Sequence, residues 1–290
     1  MNQGLWAAAA AYILWGLFPL YFHRLQAVDA LEIVAHRSVW SLVFVALLLL
    51  IQRRWAWLTS VLRQPRVLAT FTAAALLLSC NWLIYVWAVN HGHVLEASLG
   101  YFINPLVNVL LGVLVLGERP RRLQWGALAI AATGVVWMAV AQGAAPWIAL
   151  ALAGSFGFYG LLKKLARLGA LEGLALETLV LAPIALPALL WLGQGSGGHS
   201  AETWIWLVLA GPLTAIPLLL FGYGAQRVSL GTLGLLQYLG PTLQFALGWL
   251  VFEERLDAAR LAGFALIWIA LLIYSADALR QRPRRQSWRS

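Results

Sequence analysis

Residues 105–119 read PLVNVLLGVLVLGER, and residues 241–255 read PTLQFALGWLVFEER. Set together at an offset of 136, seven of the fifteen positions are identical: Pro, Leu, Gly, Leu, Val, Glu and Arg. Asn108 falls on Gln244, and Phe102 on Tyr238. A looser match at an offset of 140 sets Ala-Leu-Glu at 30–32 on Ala-Leu-Glu at 170–172. Both long stretches sit in apolar runs, yet each carries a proline and an amide that a helix built only for lipid does not need. The chain reads as two copies of one design.

The copies are membrane segments. The 290 residues are 62% hydrophobic and 11% charged, with a mean hydropathy of +0.79. A soluble domain is nearer half apolar and a quarter charged. Apolar runs of about 18 residues or more recur along the chain, long enough to cross a bilayer. Lipid offers the backbone no partners, so helices or a closed barrel must supply them. The runs are long and unalternating, as in Leu42–Ile51 and Leu261–Tyr274, which excludes the short alternating strands of a barrel. The expected fold is all-α and integral to the membrane. Ten spans are predicted, at about 5–22, 31–51, 67–90, 94–116, 123–142, 146–163, 172–192, 203–224, 230–252 and 259–277. Five spans per copy is an odd number, so the second copy enters from the opposite face. The expected units are an inverted pair, 1–143 and 144–277, followed by a basic tail, 278–290. Secondary transporters are built in this way, with their site near the midplane between the halves.

The formal charge of +9 resembles a nucleic-acid signal, but its placement says otherwise. With the N-terminus inside, sixteen of the twenty basic residues fall in inside connections and the tail. Arg24, Arg255 and Arg260 fall outside, and Arg37 lies within a span. That asymmetry predicts cytoplasmic termini. The tail RQRPRRQSWRS fits a topology anchor resting on anionic headgroups. The N-terminus lacks the basic region of a cleavable signal, so the first span is expected to be retained. Cys80, the single cysteine, permits no internal disulfide and is expected to be a buried thiol beside Asn81.

The ten-span pattern, Arg37 early in the second span, and the Pro…Gly…Glu-Arg ends of spans four and nine resemble the EamA-type drug/metabolite transporters. YILWGLFPLYF, EIVAHRSVWS, NWLIYVWAVNHGHVLEASLGYFINPL and LGERPRRLQW are similar to the RarD group in particular. The resemblance covers essentially the whole chain. It implies a permease of the bacterial inner membrane, with relatives that export amino acids and related metabolites.

The residues suggest where a solute would bind. A proline frees the carbonyl four residues earlier: Pro105 that of Tyr101, and Pro241 that of Gln237. Both fall near the middle of their spans, where water or a ligand in a cavity can pair them. Asn104, Asn108, Gln237, Tyr238 and Gln244 add polar groups nearby. In span three, Asn81 and Tyr85 share a helix face, with Trp82 one position round. Tyr159 and Tyr223 are weaker candidates of the same kind. The plainer reading makes the prolines kinks and the amides links between helices; the matched pair favours a cavity.

Arg37 lies roughly 9 Å into span two. It is either an anchor for an anionic group or a snorkelling residue paired with Glu32. Glu32 and His36 share a face and are candidates for proton coupling. Glu177, the counterpart of Arg37, is a third, and a helix-start carboxylate is the plainer reading. A direct Arg37–Glu177 bridge is not expected, because the two enter from opposite faces. His91 and His93 suggest metal, but no further ligand is spaced to complete a site. The glycines of GSFGFYG (154–160) suit close helix packing.

These features point to a secondary transporter, an exporter of small metabolites or drug-like molecules. A membrane enzyme or a regulatory scaffold is the alternative. No nucleotide-binding loop and no hydrolase motif is present. The expected partners are a small-molecule solute and lipid, with no nucleic acid and no cofactor.

Overall fold

The computed structural model describes residues 2–25, 27–53, 55–90, 94–142, 146–193, 199–251 and 258–280. Those residues form thirteen helices and no strand. The first half holds α1 (Asn2–Gly16), α2 (Phe18–His23), α3 (Ala30–Ile51), α4 (Ala56–Leu62), α5 (Pro65–Asn90), α6 (Val94–Leu116) and α7 (Arg122–Gln142). The second holds α8 (Pro146–Leu165), α9 (Ala170–Gly193), α10 (Ala201–Ala225), α11 (Leu230–Gln237), α12 (Leu239–Leu250) and α13 (Ala258–Arg280).

Among the described residues, eight segments are long and apolar enough to cross a membrane. The protein is an all-α, multi-pass membrane protein. The ninth expected span is divided at Tyr238 into α11 and α12, and the tenth keeps a shorter apolar stretch, Leu261–Tyr274. Large apolar side chains cover the outer surface, with Ile51 78% and Val140 77% exposed. A water-soluble protein does not carry that much bare apolar surface; lipid covers it here. Cys80 is on this surface, exposed rather than buried as expected. The short α4 lies in a stretch read as a connection; it folds because Val61 buries itself against Phe71 and Leu176.

Helix pairing follows the two halves. Across the halves, α6 packs on α8 and α1 on α12, α3 on α10 and α5 on α9, and α1 on α10 and α5 on α8. The pairs α7–α13, α3–α9 and α6–α11 join corresponding elements directly. Exchanging the halves maps each of these pairs onto another or onto itself. At the centre, the Tyr238 hydroxyl donates to the Phe102 carbonyl at 3.2 Å, joining the two positions that the repeat equates.

The prolines act unequally. Pro241 sits in the first turn of α12, and the chain breaks at Tyr238, three residues before it. Pro19 does the same to the first span, dividing α1 from α2 at Leu17. Pro105, by contrast, is inside a continuous α6. The expectation that spans four and nine break alike does not hold.

The Gly…Gly-Glu end of α6 ties the halves together. Gly117 takes φ +65, a left-handed turn that ends the helix. Gly112 leaves room for the Glu118 carboxylate, since a Cβ there would lie 2.7 Å from Glu118 Oε2. That carboxylate accepts from the backbone N–H of Leu230 at 2.7 Å and of Gly231 at 3.1 Å. Ser229 Oγ accepts from Thr232 N–H at 3.0 Å. The first three donors of α11 are thus paired, two of them by a charge suited to a helix N-terminus. The counterpart Glu254–Arg255 lies outside the described residues, as does the tail beyond 280. Replacing Glu118 with Ala is expected to cost about 1–2 kcal/mol, read as earlier thermal unfolding of the purified protein, with Glu118→Gln intermediate.

Candidate functional site

Call the end of the bundle where α1 begins proximal, and the end where α2 turns into α3 distal. A cavity of about 710 Å³ runs from the middle of the bundle to the distal turn. Its wall comes from both halves: α1 to α3, α5 and α6 from the first, and α8, α10 and the α11–α12 break from the second. Of the candidates read from sequence, Arg37, Asn81, Tyr85, Tyr101, Gln237, Pro241 and Gln244 line it. Asn104, Pro105, Asn108 and Tyr238 do not; they form the wall behind.

The broken spans explain the amides. Pro19 frees the carbonyl of Trp15, and Gln244 Nε2 of the other half donates to that oxygen at 3.3 Å. On the opposite side, Asn104 Nδ2 donates to the Ala153 carbonyl of α8 at 3.1 Å. Asn108 Nδ2 then donates both to Asn104 Oδ1 at 3.0 Å and to Gln237 Oε1 at 3.1 Å. Asn81 Nδ2 donates to the Leu152 carbonyl and to Ser155 Oγ, each at 2.9 Å. All of these bonds except Asn108–Asn104, which lies within α6, cross from one half to the other, and together they hold the wall.

Arg37 projects into the cavity with its guanidinium carbon 3.8 Å from the Trp82 ring centroid. A desolvated contact of this kind contributes about 2 kcal/mol. Its Nε is buried without a hydrogen-bond partner. The pairing with Glu32 does not form. Glu32 is instead 2.8 Å from His199 Nε2 and 3.8 Å from His36 Nε2. Trp40 Nε1–H donates to His36 Nδ1 at 3.2 Å, which leaves Nε2 as the ring nitrogen facing Glu32. This group links α3 to the start of α10 at the distal end.

The proximal end is closed. Tyr12, Trp15, Phe156, Tyr159 and Phe221 pack as a floor, Tyr159 and Phe221 stacked at 5.8 Å and Tyr12 edge-on to Phe221 at 6.1 Å. Beneath it, Lys163 Nζ is 2.8 Å from Glu177 Oε1, both residues 1% exposed. The Tyr159 hydroxyl donates to Glu177 Oε2 at 3.3 Å. Lys164 Nζ bonds the Val228 carbonyl and Gln226 Nε2 the Leu168 carbonyl at 2.8 Å. Tyr223 is away from the cavity, with its hydroxyl on Gln3 at 3.1 Å and Arg227 over its ring. His91 and His93 lie outside the described residues.

The chain itself has known relatives. The model of the EamA-like transporter family matches residues 2–140 and again 144–276. The chain belongs to the EamA-like transporter family. It is a membrane transporter, and within the family it is a RarD-like permease. Protein RarD of Streptomyces exfoliatus is 50% identical over 98% of this chain and 91% of that protein. An uncharacterized transporter of Vibrio cholerae is 48% identical over 96% of this chain and 94% of that protein. A crystal structure that is 23% identical shares the fold with a TM-score of 0.74, covering 96% of this chain and 99% of its own.

Sequence reasoning missed four features of the cavity and its surroundings: the Pro19 break, His199, the burial of Lys163, and the cap made by Glu118. Pro19 stood in a quoted motif and carried the same signal as Pro105. Lys163 was grouped with the inside cations because a lysine at a span end reads as a topology residue. His199 is 167 positions from Glu32, so no local pattern joins them.

The buried Lys163–Glu177 pair gives a stability test. Lys163→Met or Glu177→Gln alone is expected to cost about 3–5 kcal/mol, because the partner loses its counter-charge in a dry site. Lys163→Met with Glu177→Leu restores most of the loss in a thermal-unfolding measurement.

Proposed function

We propose that this transporter is a secondary permease, an exporter of small metabolites or drug-like molecules. It has ten spans in two inverted five-span halves, lies in the bacterial inner membrane and keeps both termini in the cytoplasm. The solute occupies the 710 Å³ cavity, which rocking of the halves opens to each face in turn. The observation that carries this reading is the one-sided closure. The cavity reaches the distal turn, while the aromatic floor and the Lys163–Glu177 pair seal the proximal end. With the termini inside, that is an external-facing state. The twice-matched family model and the pairing of α1–α7 with α8–α13 support the repeat. The excess of basic residues at the proximal end supports the orientation. Glu32, His36 and His199 form a titratable group between the halves, and we assign proton coupling to it.

Two measurements test this. In a Cys80→Ser background, a cysteine at Gln244 is expected to react with an impermeant maleimide from the external face, and one at Tyr159 is not. The reverse pattern inverts the assigned state. In proteoliposomes, counterflow of a metabolite panel should saturate and respond to an imposed pH gradient. Glu32→Gln removes that response. Gln244→Ala, which removes the donor to the Trp15 carbonyl, slows counterflow by about fivefold, as the loss of one hydrogen bond of about 1 kcal/mol implies. Saturable counterflow indifferent to pH would remove the proton assignment.

A further inference from the structure

We infer that the cavity selects organic monoanions: a single carboxylate on a flat, ring-bearing body. This rests on the reading of the cavity as the solute site and deepens it.

The body is set by the walls. Trp15, Phe18, Phe22, Trp82, Tyr85 and Tyr101 present aromatic surface to the cavity. Its volume of about 710 Å³ suits one drug-sized molecule.

The charge is set by what the walls lack. No aspartate or glutamate lines the cavity among the described residues. Every buried carboxylate nearby is already committed, Glu32 to His199 and Glu177 to Lys163. Arg37 is the opposite case. It has no hydrogen bond or ion pair among the described residues, only the Trp82 face, and its Nε is buried without a partner. A guanidinium in such a place is short of an acceptor, and a carboxylate matches its planar fork. Arg37 is the only arginine or lysine lining the cavity among the described residues, and the other basic side chain there, His23, is exposed at the distal end, so the buried part of the cavity compensates one negative charge. A dianion would leave its second charge uncompensated in a low-dielectric cavity.

A second donor is aimed by the asparagine relay. The Ala153 carbonyl can only accept, so the amide bonded to it must be Asn104 Nδ2–H. Asn104 therefore turns its Oδ1 to Asn108, whose Nδ2 donates onward to Gln237 Oε1. With Oε1 held behind the wall, Gln237 is left with Nε2–H₂ for the cavity that it lines. A backbone carbonyl in α8 thus fixes which end of an amide in α11 meets the solute, and the end it selects is a donor. Asn104 and Asn108 are positioning residues for Gln237.

The test is equilibrium binding to the purified full-length protein in lipid nanodiscs, read by tryptophan fluorescence and calorimetry. The probes are phenylacetate and indole-3-acetate, with phenethylamine and tryptamine as cations, phenylalanine and tryptophan as zwitterions, and phenethyl alcohol as the neutral form. The carboxylates are expected to bind at least about tenfold more tightly than the matched members of each other class, as loss of one charged hydrogen bond implies. Arg37→Met brings the ratio of carboxylate to alcohol affinity to about one, as loss of the charged partner implies, while Arg37→Lys keeps part of the preference. Gln237→Glu shifts preference toward the amines. Asn104→Leu, which frees Gln237 to turn over, lowers the ratio of carboxylate to alcohol affinity.

Equal binding of anion, zwitterion and amine by the native protein, or no saturable binding of either carboxylate, overturns the inference with no variant needed. An undiminished preference in a folded Arg37→Met protein overturns it as well. Because the readout is binding, a protein that selects carboxylates but shows no counterflow would retain this site and lose the transport reading. Counterflow of other solutes without carboxylate binding would do the opposite.

Discussion

A backbone carbonyl released inside a membrane helix must find a donor, because lipid has none to give. Much of this structure follows from where such carbonyls are and what answers them. Pro19 releases Trp15, and Gln244 answers from the other half. Asn104, Asn81 and Tyr238 also reach, across the halves, carbonyls at Ala153, Leu152 and Phe102, which lie inside the continuous helices α8 and α6 and take these donors as additional bonds. Donors tied to carbonyls in this way set the distance between the halves as well as satisfying the backbone. The cavity is the space that those fixed distances leave, and it lies beside the breaks because a broken helix cannot fill its own turn.

Charges obey the same rule at greater cost. A buried ion needs a partner of opposite sign or a polar ligand. Lys163 has Glu177, Arg121 has Asp277 at 3.1 Å, and Glu32 has two histidines. The pairs sit toward the ends and stitch helices there. Arg37 alone of this group borders the cavity, and only an aromatic face answers it. The difference separates charges that hold the bundle from a charge that is available to something entering it.

The class of fold was legible because it depends on composition, run length and a repeat, all of which are sums over many residues. So was the neighbourhood of the cavity: Arg37, Asn81 and Tyr85 stand out as polar residues in apolar helices. What was not legible is pairing between distant positions. Nothing in the sequence assigns Glu32 to His199 or Lys163 to Glu177, since each bond depends on how two helices rotate against one another. The unequal effect of the prolines was hidden for a related reason. Pro105 sits in a helix held by α8 and α11 on its flanks, whereas Pro19 and Pro241 lie in helices that meet each other at the cavity, where the turn can open.

The repeat also shows where symmetry had to fail. Asn108 and Gln244 are equivalent in sequence, but one methylene separates their reach. Gln244 is long enough to cross to the first span and close on the Trp15 carbonyl. Asn108 lies against Gly160 of α8 without a hydrogen bond to that helix and bonds Asn104, which reaches Ala153. That substitution leaves Asn108 a second N–H to spend on Gln237. The shorter amide in one half thus leaves Gln237 with a fixed polarity toward the cavity.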